Sequence, residues 1–92
     1  MVKIRFQVYI SGIVQGVFFR ANMRKKAIEL GLRGFVRNLD DGCVYAVVEG
    51  EETSVRRLVE WCKEGPSGAM VKDVKVKSEE YRGEFQSFKI VY

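Results

Sequence analysis

The chain contains no histidine, one proline, two cysteines and no long apolar run, and each shortage removes a class of answer. Without imidazole there is no histidine general base, no phosphohistidine intermediate and no histidine-bearing metal site. The longest unbroken apolar run, Cys43 to Val48, has six residues, against roughly 18 needed to cross a bilayer, and Met1-Val2-Lys3-Ile4-Arg5 does not open a signal-peptide core. The expectation is a chain that neither spans a membrane nor is exported. Two cysteines close at most one bridge, so free thiols in the reducing cytoplasm are expected. With 92 residues, 47% hydrophobic and 30% charged, the composition is that of an ordinary globular chain and not of a disordered one. This length has room for one domain, expected over residues 1–92.

Sixteen Lys+Arg against 12 Asp+Glu leave a formal charge of +4. That balance favours anionic partners, nucleic acid and phosphorylated small molecules alike. Basic residues gather at Arg20, Arg24, Lys25 and Lys26, and again at Lys72, Lys75 and Lys77. Most of these are read as solvated surface.

From Val2 to Ser11 apolar and polar residues alternate with a period of two, which predicts a strand with one buried face. Asn22 to Leu30 carries Met23, Ala27 and Leu30 at helical spacing beside Ile28, with Asn22 as candidate N-cap and Gly31 as stop. Leu32 to Leu39 and Cys43 to Glu49 are β-rich runs joined by Asp40-Asp41-Gly42, so they are expected to pair as an antiparallel hairpin. Thr53 to Glu64 puts Val55, Leu58, Val59 and Cys62 on one stripe and ends at Gly65-Pro66. Cys62 is read as core and Trp61 as a packing residue at the helix edge. Val71 to Lys77 and Phe85 to Val91 are read as two last strands around a turn at Arg82-Gly83. The order βαββαβ plus a C-terminal strand matches the α+β, ferredoxin-like arrangement, a mainly antiparallel sheet with two helices on one face.

Between the first strand and the first helix lies Ser11-Gly12-Ile13-Val14-Gln15-Gly16-Val17-Phe18-Phe19-Arg20. A glycine-bearing turn that enters a helix points backbone N–H groups inward, where unpaired donors and the helix dipole favour an anion. Arg20 stands at the helix entrance, where a guanidinium can hold a phosphate bidentately. A plain β-α connection with a surface arginine is the alternative.

The run Ile10 to Arg20 resembles the first signature of the acylphosphatases, small enzymes that hydrolyse the carboxyl-phosphate bond. A second block, Gly34-Phe35-Val36-Arg37-Asn38-Leu39-Asp40-Asp41-Gly42-Cys43-Val44 continuing to Gly50, resembles that family's second signature at every fixed position. The resemblance implies that Arg20 binds the phosphoryl group and that Asn38 positions the attacking water. It also implies that the amides of Gln15, Gly16, Val17, Phe18, Phe19 and Arg20 cradle the phosphoryl oxygens. An acyl phosphate would be the substrate and inorganic phosphate the product and competitor, with no metal or other cofactor. Family members often carry hydroxyl residues where Ala21, Asn22, Met23, Leu39 and Cys43 stand here. On position alone, Asn38 also reads as a turn-forming asparagine before Asp40-Asp41-Gly42.

Other phosphate chemistries fail on spacing. A phosphocysteine enzyme needs arginine six residues after cysteine, where Cys43 meets Glu49 and Cys62 meets Gly68. A Walker loop needs a Gly-Lys pair, which is absent. The same element order builds RNA-recognition domains, whose sheet-face motif Arg33-Gly34-Phe35-Val36 begins and then loses at Arg37-Asn38. Nucleic acid is therefore not the expected partner. A silent domain that only binds an anion is the third reading, against which the presence of both Arg20 and Asn38 argues.

Overall fold

The computed structural model describes residues 2–92, so Met1 of the expected domain lies outside them. The elements are β1 (Lys3–Ile13), α1 (Phe19–Glu29), β2 (Arg33–Asn38), β3 (Val44–Glu51), α2 (Glu52–Glu64), β4 (Met70–Glu79) and β5 (Phe88–Ile90). They build one five-stranded sheet in the order β4-β1-β3-β2-β5. All neighbours are antiparallel except β5, which runs parallel to β2. This is the expected ferredoxin-like α+β fold.

Alternation does most of the work. Phe6, Val8 and Ile10 of β1 and Val44, Ala46 and Val48 of β3 are buried together with Met23 and Ala27 of α1 and Val55, Leu58 and Cys62 of α2. Each large side chain so buried contributes about 1.5 to 3 kcal/mol. The intervening Arg5, Gln7, Tyr9, Tyr45, Val47 and Glu49 therefore belong to the opposite face. The Asp40-Asp41-Gly42 turn closes the β2–β3 hairpin as expected, with Gly42 at φ 94° and the Asp41 carboxylate accepting the Cys43 N–H at 2.9 Å. Burial among apolar side chains pushes the Cys62 thiol up to about 12, as befits a core residue.

Three sequence expectations need correction. The first helix starts at Phe19, not Asn22, and its cap residue is Phe18 in the left-handed region at φ 60°, ψ 26°. Phe19 is buried edge-on to Trp61, with centroids 5.3 Å apart, and this anchor extends the helix back by a turn. Asn22 is inside the helix, where its Nδ2 and its backbone N–H both donate to the Phe18 carbonyl, at 2.9 and 3.1 Å. On the same helix Ile28 faces solvent, not the core.

Second, β1 runs on to Ile13 through a register shift at Ser11/Gly12, where Gly12 has φ 123°. A Cβ there would strike the Met70 carbonyl, so the bulge depends on glycine. Third, β4 and β5 do not flank a local turn, since they occupy opposite edges of the sheet. The chain between them crosses the face away from the helices. It is pinned there by the Glu49 carboxylate, which accepts the N–H groups of Arg82, Gly83 and Glu84 at 2.8, 3.1 and 3.2 Å. Phe88 then enters the core beside β2.

Candidate active site

Sheet register brings the two signature blocks to one end of the molecule. Ile10 pairs with Val44 and Val44 pairs with Asn38, so the three residues form one row across β1, β3 and β2. Beyond Ile10 the chain of β1 leads into the loop Val14–Phe18. Asn38 has the parity of Gly34 and Val36, both buried, and so belongs to the helix-bearing face. β2 is not the neighbour of β1; β3 lies between them. The approach is made from across β3, at the strand ends.

A pocket of about 290 Å³ opens there, lined by Val14, Gly16, Phe18, Phe19, Arg20, Ala21, Asn38, Ile90 and Tyr92. That lies at the low end for small-molecule sites. Its floor is the loop. Gly16 at φ 76° and Phe18 at φ 60° flank Val17, and a change of hand of this kind along a chain is what turns successive N–H groups towards a common side. Among the described residues, no N–H from Gln15 to Ala21 donates to a backbone carbonyl with good geometry; the first such bond of α1 is Asn22 N–H to Phe18 O. These donors are available to an anion.

Arg20 is half-buried and forms no ion pair or hydrogen bond to a protein group among the described residues. Its guanidinium lies over the Tyr92 ring, 5.1 Å from the centroid. A guanidinium without a carboxylate partner beside loop N–H groups that lack well-formed backbone bonds favours an anion. The Asn38 side-chain amide, also half-buried, has no protein hydrogen bond among the described residues, which leaves both its donor and its acceptor for water or ligand.

The remaining expected site residues fall differently. Gly16, Phe18 and Phe19 line the pocket, whereas Val17 packs against the core and Gln15 is turned to the β2–β3 hairpin. Of the residues standing in place of family hydroxyls, Ala21 lines the pocket and Met23 is buried against Cys62, with the two sulfurs 4.0 Å apart. The Cys43 thiol is raised, first by burial and then by the Asp41 carboxylate, and is no ready nucleophile. Tyr92 and Ile90 were missed as pocket residues, because neither belongs to a motif and only the β5–β2 pairing brings them near Arg20.

Comparison with known proteins agrees with the motifs. The Acylphosphatase family model matches residues 6–90.

The chain belongs to the acylphosphatase family.

Among its acylphosphatase relatives, that of Aeropyrum pernix is 51% identical over 90 residues, covering 97% of this chain and 89% of the relative. That of Pyrobaculum islandicum is 51% identical over 92 residues, covering 99% and 97%. The solved structure of an acylphosphatase from Coxiella burnetii superposes with a TM-score of 0.92 at 42% identity, covering 97% of this chain and 93% of that one. Family membership, implied by the two signatures, and the fold, expected from the element order, are thereby established.

The second fold-level reading meets a different surface. Phe35, the aromatic of the RNA-like fragment, is on the face away from the helices, edge-on to Tyr45 and to Phe85 of the crossing segment, each 5.9 Å between centroids. A larger groove of about 660 Å³ between α1 and α2, lined in part by Lys26, Arg56, Glu60 and Trp61, contains none of the signature residues.

Proposed function

We propose that this acylphosphatase hydrolyses its substrate at the Arg20–Asn38 pocket, without a metal, as a single unit over residues 1–92. The observation that carries the reading is the convergence on one small pocket of a guanidinium without a protein partner, loop N–H groups without well-formed backbone bonds and a side-chain amide without a protein hydrogen bond, among the described residues. The loop amides and Arg20 hold the three non-bridging phosphoryl oxygens. Asn38 orients a water for in-line attack; an amide cannot accept a proton at neutral pH, so its contribution is placement. The water oxygen bonds to phosphorus as the bond from phosphorus to the acyl oxygen breaks. The carboxylate leaves with that electron pair, and the water's proton passes to the phosphate.

This division suits the reaction. A carboxylate is a good leaving group, so transfer through a loose transition state needs positioning and charge stabilisation more than a strong base. A chain without histidine can supply both. Inorganic phosphate, sharing the phosphoryl oxygens, acts as product and competitor. Small acyl phosphates in the cytoplasm, and not nucleic acid, are the ligands of this reading.

Hydrolysis of benzoyl phosphate without added metal tests it. The wild-type chain turns over and is inhibited by phosphate. Arg20→Ala folds and loses about 10²- to 10³-fold in kcat/KM, the effect of removing one preorganised donor or more, and Asn38→Ala folds and loses about 10²-fold in kcat. Near-normal turnover by either folded variant contradicts the assignment.

A further inference from the structure

The loop and the hairpin that carries Asn38 belong to separate stretches of chain, and their relative position decides where a water on Asn38 meets a phosphoryl group on the loop. Main-chain pairing does not set it directly, since β3 separates β1 from β2. Among the described residues, one side chain hydrogen-bonds the two together. Gln15 Nε2 donates to the Leu39 carbonyl at 2.8 Å and to the Cys43 carbonyl at 2.9 Å.

Those two carbonyls bracket the hairpin turn that begins one residue after Asn38. The turn is already closed by its own backbone, with Leu39 N–H donating to Cys43 O at 2.8 Å and Gly42 N–H to Leu39 O at 3.2 Å. Each carbonyl thus has one lone pair engaged within the turn and offers the other to Gln15. The geometry also fixes which way the amide faces: two carbonyl acceptors demand the NH₂ group, and both its hydrogens are used. Attachment to two points four residues apart restrains rotation as well as distance. The contact is part-buried, where water competes poorly.

We propose that Gln15 is a positioning residue, whose side chain locks the Asn38 hairpin to the phosphate loop and so sets the water's place relative to phosphorus. The inference rests on the proposed function above. Gln15 touches neither substrate nor water through its side chain; it acts through Asn38.

A double-mutant cycle reads that dependence. Benzoyl phosphate hydrolysis and competition by inorganic phosphate are measured for the wild type, Gln15→Met, Asn38→Ala and the double variant, each checked for folding by its thermal melt. Gln15→Met keeps the side chain's length and removes both donors. Its kcat is expected to fall by about ten- to a hundredfold, the scale of a misplacement near 1 Å. Phosphate inhibition, a property of the loop and Arg20, stays within about threefold. In the Asn38→Ala background the same change costs nothing further.

Gln15→Glu gives an independent reading should Gln15→Met fold poorly. Its ionised carboxylate has no donor and is inactive in the clamp, while the protonated acid regains one O–H donor. Its kcat relative to wild type therefore rises as pH falls towards the carboxylic range. Additive losses in the cycle, equal losses of kcat and phosphate affinity, or unchanged kcat would overturn the proposal. Failure of the wild-type chain to hydrolyse benzoyl phosphate overturns the underlying reading instead, and shows before any variant is made.

Discussion

Phe18 is held in the left-handed region at φ 60° and is 79% exposed, an unfavourable place for a bulky side chain on both counts. Phe18 lines the pocket, so the strain sits at the proposed site and not in the core. Phe18→Asn supplies a residue that accepts this region and gives up little buried surface. It is expected to stabilise the fold by about 1 kcal/mol, a rise of about 4 to 8 °C in Tm, as read by calorimetry; a fall in Tm contradicts this. Arg20 and Asn38 were legible in the sequence as residues of one pocket because both sit in long motifs. Gln15 was only half legible. Its backbone position in the loop follows from the motif, but a side-chain amide reaching two carbonyls 24 and 28 residues away leaves no local pattern.

Period-two alternation and the Asp-Gly turn made β1, β2 and β3 readable, because the buried face and the reversal are local properties. The start of α1 was not readable, since its cap is a phenylalanine with no side-chain hydrogen bond and its anchor is the distant Trp61. The edges of the sheet were not readable either. What places β5 beside β2 is the burial of Phe88 and the bond from Gly34 N–H to Ser87 O at 3.0 Å, both long-range. Gly34 itself has φ 145°, and a Cβ on it would overlap the Val47 carbonyl of the neighbouring strand. Gly34→Ala must therefore either separate β2 from β3 or strain both, and β2 carries Asn38. It is expected to cost at least about 3 kcal/mol in urea unfolding, and to lower kcat in whatever fraction stays folded. A variant of wild-type stability would show that the two strands are not held at this distance.

Across the molecule, the apolar core and the pocket share the helix-bearing face of the sheet, and a cluster of ion pairs occupies the other. On the face without helices, Arg5 is ringed by three carboxylates: Glu49 at 3.2 Å, Glu79 at 2.9 Å, and Glu84. Burial would lower the Arg5 pKa, yet the bonds from Glu79, Glu84 and Glu49 raise it overall. For Glu49, burial works to raise the carboxyl, but the N–H groups of Arg82 and Gly83 and the Arg5 guanidinium outweigh it and leave it lowered. Glu79 is lowered chiefly by Arg5. A carboxyl lowered on folding stabilises fully above its unfolded pKa, about 4.3 for glutamate. That stabilisation is lost as pH falls through the folded value. Tm should stay level from neutral pH down to about 5 and drop below about 4. Glu49→Gln, which keeps the shape and removes the charge from Arg5 and three N–H groups, should cost at least about 3 kcal/mol at neutral pH and flatten the acid limb. An unchanged limb would place the acid sensitivity elsewhere. The helix-bearing face holds the proposed site, and there the central claim is that loop N–H groups and Arg20 bind the phosphoryl group independently of Asn38. Titrating the ¹⁵N-labelled chain with inorganic phosphate, and Asn38→Ala beside it, tests this most directly. The expected result is saturable shifts concentrated on the amides of Gln15 to Arg20 in both chains, lost in Arg20→Ala. Shifts confined to the groove between α1 and α2, or no saturation at the loop, would contradict it.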